Sequence, residues 1–256
     1  MYENIIFNGI ILTNILNVDI FTINTDQIAD IVISEQKLAR QTGSQIFNKE
    51  YGSKKITLEG QITAGSRNDY FIARNALIKA TDPENKTLLL PMDGTPIQYT
   101  ATLANIIFKD VGGGYAQFNL EFTATDPYGY APIKTNLLLA NANTASTKQY
   151  NFLEVIGGTV KTPFEITLHI SVITGTTGNI TFTNQAGETI TVTKTWVAQD
   201  ILTIDTLLHE VKVNGVLTDY TGLFFELTPD DTYITYTDTF TTRTVETTMK
   251  YRQRFL

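Results

Sequence analysis

The chain has 256 residues, 42% of them hydrophobic, which is enough to bury two ordinary cores without covalent staples. It has no cysteine, so disulfides, thiolate metal sites and cysteine nucleophiles are excluded together, and this fits assembly in a reducing cytosol. A net charge of −7, shared by both halves, opposes any grip on nucleic acid through counterion release.

Sequence-specific DNA binding is therefore not expected, while like charge would let DNA pass alongside without sticking. The opening MYENIIFNGIILTNILNV lacks the basic segment and small-residue cleavage site of a secretory signal. No run of about 18 apolar residues occurs, so no membrane span is expected.

The first half opens with short β-type runs at Ile5-Ile6-Phe7 and Asp19-Ile20-Phe21-Thr22-Ile23, and Gly9 between them reads as a turn or bulge. From Ser34 to Ser53 the pattern breaks into a polar stretch of mixed charge centred on Gly43. It reads as a long solvated hairpin or loop, or as an arm that orders only against a neighbouring subunit. Lys54 to Ile62 then alternates as a strand with Ile56, Leu58 and Gly60 on one side.

SRNDYFIARNALIKATDP predicts one helix. Ser66 is its N-cap, Asp69 stands near the capping-box position, and Asp82-Pro83 ends it. Tyr70, Ala73 and Leu77, with Phe71 and Ile78 on the adjacent row, form an apolar stripe. Asp93-Gly94 is a hairpin signal between two strand-like runs. Gly112, Gly113 and Gly114 turn the chain into a strand with Phe118, Leu120 and Phe122 buried, which Asp126-Pro127 and Gly129 stop.

A short linker follows, and the texture changes. The chain divides into modules of about 130 residues each, a usual domain size: 1–130, strands with one helix in an α+β sandwich, and 131–256, almost pure β. In the second, alternating runs rich in Thr, Ile, Val, Phe and Tyr include TPFEITLHISVITG, GNITFTNQAGETITVTKTW, ILTIDTLLHEVKVNG and GLFFELTPDDTYITYT. Turns fall at Thr174-Gly175, Ala186-Gly187, Asn214-Gly215 and Pro229-Asp230-Asp231. This spacing indicates a β-sandwich of jelly-roll or lectin type. No repeat of fixed period is visible.

The residues offer no reaction centre. His169 and His209 both lie in strand-like runs and read as histidines satisfied beside a sheet. No GxSxG, HExxH or CxxC pattern exists, and the triple glycine lacks the Lys-Ser/Thr of a phosphate loop. Asp230-Asp231 lacks the EF-hand spacing and reads as a turn. Glu165, Glu226 and Asp205 could form a glycosidase pair, but any β protein with 26 acids offers such pairs. Trp196, the only tryptophan, reads as core or interface packing, with stacking on a sugar ring as the alternative. Lys250, Arg252 and Arg254 alternate with Tyr251, Gln253 and Phe255, giving either a solvated strand face or a seam to an acidic partner. No catalytic residue, cofactor site or metal site is assigned.

Several segments carry a resemblance when taken in order. The helix SRNDYFIARNALIKA, the strand-and-stop FNLEFTATDPYGYA, the stretch from Trp196 through ILTIDTLLHEVKVNG to LFFELTPDDTYITY, and the tail YRQRFL resemble the distal tail proteins of long non-contractile (siphophage) tails. The likeness covers essentially the whole chain. It implies a non-enzymatic virion component, assembled in the host cytoplasm, that forms a homo-hexameric ring. Such a ring joins the tail tube protein to a baseplate or to a tip or tail-associated lysin-type protein, and DNA passes through its channel without specific binding.

The resemblance further implies that residues 1–130 build the ring and that the 34–53 segment is an arm wrapping the neighbouring subunit. Residues 131–256 would be a galectin- or CBM-like sandwich projecting outward to dock receptor-binding or other baseplate proteins. Sugar-binding galectins use a His-Asn-Arg set and a Trp followed closely by Glu and Arg. Here His169 is followed by Ile170-Ser171 and Trp196 by Val197-Ala198-Gln199, so the sandwich reads as a docking platform. The competing readings are a carbohydrate-binding adhesion module contacting the host surface and, last, a glycan-degrading enzyme.

Overall fold

The computed structural model describes residues 4–25, 31–36, 45–92, 95–137, 144–152, 154–175 and 177–256. The chain forms two compact units, Met1–Ala131 with Leu256, and Pro132–Phe255. The fold is mainly β, and the described residues contain one α-helix, as the alternation predicts. No helix among them is long and apolar enough to cross a membrane.

In the first unit, β1 (Ile6–Phe7) and β2 (Ile10–Ile11) are joined by Asn8 and Gly9, at φ 50° and 79°. Positive φ at both residues gives a two-residue hairpin the twist of its strands, so the turn expected at Gly9 is present. A 3-10 turn (Leu12–Asn14) leads to β3 (Val18–Asn24). Next come β4 (Ile31–Gln36) and β5 (Gln45–Tyr51), which pair only with each other among the described strands.

β6 (Lys54–Thr63), α1 (Arg67–Thr81), β7 (Lys86–Met92), β8 (Thr95–Gly112), β9 (Tyr115–Ala124) and β10 (Gly129–Tyr130) complete the unit. The main sheet runs β2-β1-β7-β8-β9-β6-β3, with β10 meeting β8 at Tyr130 and Gln98. The Asp93-Gly94 connection lies outside the described residues. Met92 and Thr95 on either side of it are register partners.

Period-two alternation sets the buried face. β6 buries Lys54, Ile56, Leu58, Gly60 and Ile62, while β9 buries Ala116, Phe118, Leu120, Phe122 and Ala124. Gly60 is the register partner of Phe118. A Cβ at Gly60 would stand 2.3 Å from both the Asp19 carbonyl and the Phe118 ring, so only bare backbone fits there. β8 pairs with β7 as far as Ala101, bulges between Leu103 and Asn105, and continues to Gly112 against β9.

The helix starts where predicted. Ser66 Oγ accepts from the Asp69 backbone N–H at 3.1 Å and donates to Asp69 Oδ2 at 2.7 Å, satisfying an otherwise orphaned donor. Tyr70, Ala73, Leu77, Ala80 and Thr81 form its buried face. The adjacent row corrects the predicted stripe: Phe71 is 40% exposed under the Arg67 guanidinium, and Ile78 is only half-buried. The buried line keeps spacings of three and four, and the adjacent row turns toward solvent.

The second unit contains two sheets. One runs in the order β11 (Lys134–Leu137), β21 (Thr242–Tyr251), β13 (Phe164–Thr174), β16 (Ile201–Asp205), β17 (Glu210–Val213) and β18 (Val216–Leu217). The other runs β12 (Thr147–Asn151), β20 (Tyr233–Asp238), β14 (Thr177–Thr183), β15 (Thr189–Thr195) and β19 (Thr221–Gly222). The short β22 (Arg254–Phe255) follows β21. Side chains of both sheets, among them Leu168, Ile204, Phe182 and Val192, share one core with Trp196, which follows β15, and this makes the unit a sandwich.

One predicted run fails as a strand. Leu223 to Leu227 is irregular: Leu223 N donates to the Thr189 carbonyl at 3.1 Å, and Leu227 forms an isolated bridge with Thr162 outside the strands. Phe225 and Leu227 are nevertheless buried. The alternation therefore recorded burial, while the backbone ladder it suggested is missing.

Candidate assembly surfaces

The residues with catalytic potential all have structural partners. His169, on β13, brings Nε2 to 3.1 Å from Gln199 Oε1. His209 lies not in a strand but in the turn before β17, at φ 54°, with its ring stacked on Phe224 at 5.0 Å. Left-handed backbone is unusual for a residue with a side chain, and no periodicity in TLLHEVKV signals it.

Glu165 and Asp205 are register partners on β13 and β16. Lys250 Nζ stands 3.4 Å from Glu165 Oε1, while Asp205 Oδ1 accepts from the backbone N–H groups of Leu207 and Leu208 at 2.9 and 3.0 Å. Glu226 meets Arg254 at 3.4 Å. Thus two cations of the terminal cluster, Lys250 and Arg254, are answered by acids of their own unit, which removes the basis for reading them as a seam to an acidic partner.

Asp230, at φ 76°, and Asp231 form a turn in which Asp231 Oδ2 accepts from Thr228 N at 2.7 Å. Burial pushes the Asp231 carboxyl above its ordinary range. No cluster of three or more His, Asp or Glu arranged for a metal exists among the described residues. Gly112 to Gly114 turn β8 into β9, with Gly112 N donating to Asp110 Oδ1 at 2.8 Å. Trp196 is fully buried, its Nε1 donating to the Gly178 carbonyl at 3.0 Å and its ring edge-on to Phe240. A sugar ring cannot reach it.

What the molecule presents to its surroundings is apolar surface. On the β4–β5 hairpin, Ile31, Val32 and Ile33 are 46%, 53% and 51% exposed. The root of the hairpin is marked by the Tyr51 ring, edge-on to Tyr128 at 6.4 Å. The tip of the expected 34–53 arm, residues 37–44, lies outside the described residues. In the main sheet of the first unit, Phe21 and Ile107 line a cleft with Glu59, Lys109, Gln117 and Asn119.

On the sandwich, Leu207, Leu208, Val216, Leu217 and Leu223 are exposed. In the same unit Tyr220 packs edge-on to Phe224 at 4.8 Å. None of these apolar sites was singled out from the sequence, because alternation alone cannot tell a buried strand face from an exposed one.

Comparison with known proteins identifies the architecture. Residues 11–124 match the family model of the phage tail protein RIFT-related domain. Residues 157–255 match that of the siphovirus-type tail component, C-terminal domain. No curated protein sequence matches. The crystal structure of the Dit protein of phage SPP1, described as a paradigm of the hub adsorption apparatus in phages infecting Gram-positive bacteria, aligns over 100% of both chains. Its TM-score is 0.66 and its identity 14%. A chain of the phage P2 baseplate in its activated conformation with calcium is 12% identical over 95% of this chain and 92% of that one, at a TM-score of 0.41. Two tail-specific models, matched in order across most of the chain and joined by a full-length likeness in fold, show that the chain belongs to the siphovirus-type distal tail proteins, structural components of the phage tail.

Proposed function

We propose that this tail protein is a homo-hexameric ring hub that joins the tail tube to the baseplate or tip, with DNA passing through its centre without specific binding. Residues 1–130 build the ring, and the 34–53 arm grips the next subunit. Residues 131–256 form a galectin-like platform for receptor-binding proteins or a tip or lysin-type protein. Assembly takes place in the host cytoplasm. The SPP1 relative, described as part of a hub apparatus, supports this reading.

The observation that carries it is the β4–β5 hairpin. Consecutive strand residues point to opposite faces, so exposed Ile31, Val32 and Ile33 give the hairpin apolar surface on both sides. No fold-back onto its own unit would bury both. A neighbour gripped by the hairpin would, and a heterologous contact of this kind closes into a ring by rotation.

Native mass spectrometry over a concentration series, with negative-stain images, tests the proposal. Hexamers or stacked hexamers with a central hole are expected, either for the chain alone or after adding the tail tube protein. A monomer under both conditions would defeat it. The exposed Tyr220, beside Phe224 and His209, favours a second reading, carbohydrate binding at the host surface. Reproducible signals on a glycan array, lost with Tyr220→Ala, would support that reading, and silence would remove it.

A further inference from the structure

We infer that the outward face of the five-stranded sheet in the second unit binds a neutral, extended sugar polymer, a single chain of β-1,4-linked pyranose rings lying across the strands. The site is this face rather than the Tyr220–Phe224 pair, and it rests on neither reading above.

Register builds the face. One row carries a threonine from every strand: Thr147, Thr237, Thr181, Thr191 and Thr221 on β12, β20, β14, β15 and β19. The next row reads Gln149, Thr235, Thr183 and Thr189. Beyond it Asn151 stands opposite Tyr233. On the other side Asn179 stands opposite Thr193, and Thr177 opposite Thr195. The residues between them, such as Tyr150, Ile234, Phe182 and Val192, are buried in the core, so all these positions face outward. None of them is charged.

Threonine suits an exposed strand by its shape alone. The missing charge needs a further cause, because an ordinary solvated surface intersperses both signs. The outward face of the other sheet does so, with Glu165 between Lys250 and Asp205, and His169 opposite Glu246. In a chain of net charge −7, one face of the sandwich is thus neutral throughout. Covering it desolvates hydroxyls and amides, which costs far less than burying ions.

The ligand follows from what the face offers. Among the described residues, the hydroxyls of Thr147, Thr183, Thr189, Thr235 and Thr237 have no hydrogen-bond partner in the protein, whereas Thr181 pairs with Thr191 and Thr193 with Asn179. Each free hydroxyl can donate or accept, so the group suits a ligand that itself carries many hydroxyls. Tyr233 is half-buried on the same face and makes no ring contact among the described residues, which leaves its ring for the apolar side of a pyranose. A protein partner would need several large anchors, and this face holds one aromatic ring. An anionic polymer would find no cation on it.

Spacing selects the linkage. Strands stand about 4.7–4.9 Å apart and a β-1,4-linked chain advances roughly 5 Å per ring, so a chain crossing the strands meets a fresh side chain at each ring. The sheet's twist of about 20° per strand turns successive positions. It limits the match to one chain of a few rings and excludes a crystalline surface.

Calorimetric titration of the full chain with soluble hexasaccharides tests this, one arm with β-1,4-linked glucose and the other with β-1,4-linked N-acetylglucosamine. Saturable binding to at least one is expected, with a Kd of roughly 0.1–1 mM. Thr183→Val/Thr235→Val keeps side-chain shape and strand preference while removing two hydroxyls, and should weaken binding at least fivefold. Tyr233→Ala should weaken it at least tenfold. Tyr220→Ala should leave it unchanged, because Tyr220 precedes β19, at the far edge of the sheet from β12 and β20. The Trp196 unfolding transition checks that each variant is folded. Silence with both sugars at about 5 mM, or binding that persists in both face variants, would overturn the inference. Binding lost with Tyr220→Ala but kept in the face variants would also overturn it, and would support the Tyr220 reading instead. The ring reading is decided separately, by native mass spectrometry.

Discussion

Arg243 and Asp238 form an ion pair buried in the second unit, with Arg243 Nη2 2.9 Å and Nε 3.0 Å from Asp238 Oδ1. The other carboxylate oxygen accepts from Tyr236 OH at 2.6 Å, and the Phe240 N–H donates to Oδ1 at 2.8 Å. Arg243 also donates to the carbonyls of Thr144 and Phe240. The pair thus fixes the connection from β20 to β21 and ties it to the segment entering β12.

Removing one partner leaves a charge without compensation in a dry site. Arg243→Met should lower stability by about 3–5 kcal/mol. Trp196 is the only tryptophan and is fully buried in this unit, so its fluorescence during urea unfolding reports the second unit alone. A loss under about 1 kcal/mol would show that the network is not closed as described.

The same unit should weaken above pH 10. Burial pushes the Tyr150 hydroxyl up to about 12, and burial together with the Asp238 carboxylate raises that of Tyr236 further. Both are raised above the ordinary value of 10, so below pH 10 the folded and unfolded forms are equally protonated. Above it the unfolded chain loses protons that the fold retains. Stability should then fall by about 1.4 kcal/mol per pH unit for each tyrosine. Tyr150→Phe should remove one share of the slope between pH 10 and 12, measured by urea titrations followed at Trp196. An unchanged slope would mean that Tyr150 ionises normally in the fold.

The strands were legible because burial in a sheet has period two, and Ile56, Leu58, Phe118, Leu120 and Phe122 keep it without interruption. The helix was legible because Ser66 and Asp69 announce its start locally. Relations between strands were not legible. Nothing near Lys109 reveals that its register row ends at Asp19, since that follows from three pairings spread over 90 residues of sequence. Asp238 and Arg243 are close in sequence but look like ordinary surface charges in a threonine-rich run. His209 and Leu223–Leu227 show the converse error, in which an apolar alternation persists where the backbone has left the sheet.

Gly60 should tolerate no side chain. The two atoms nearest a new Cβ are the Asp19 carbonyl oxygen and the Phe118 ring, both at 2.3 Å. One is backbone of the paired strand and the other is packed in the core, so neither can yield freely. Gly60→Ala should lower stability by about 1–3 kcal/mol through overpacking. Calorimetry of the full chain should show the loss while the Trp196 transition of the second unit stays in place. A fully retained stability would mean that β3 can slide away from β6 at the bulge.

Removing the hairpin should separate folding from assembly. β4 and β5 pair only with each other among the described strands, and the exposed Ile31, Val32 and Ile33 contribute little to the core of their own unit. Replacing residues 31–51 with a short Gly-Ser linker should therefore leave the stability of the first unit within about 1 kcal/mol, apart from the lost Tyr51–Tyr128 ring contact. Ring formation, by contrast, should be lost, because the grip on the neighbour goes with the hairpin. Native mass spectrometry and calorimetry on one sample read the two effects separately. An intact ring would show that other surfaces of the chain close the assembly and that the hairpin serves another contact. A shortened chain that no longer unfolds cooperatively would mean that β4 and β5 belong to the core rather than to an arm.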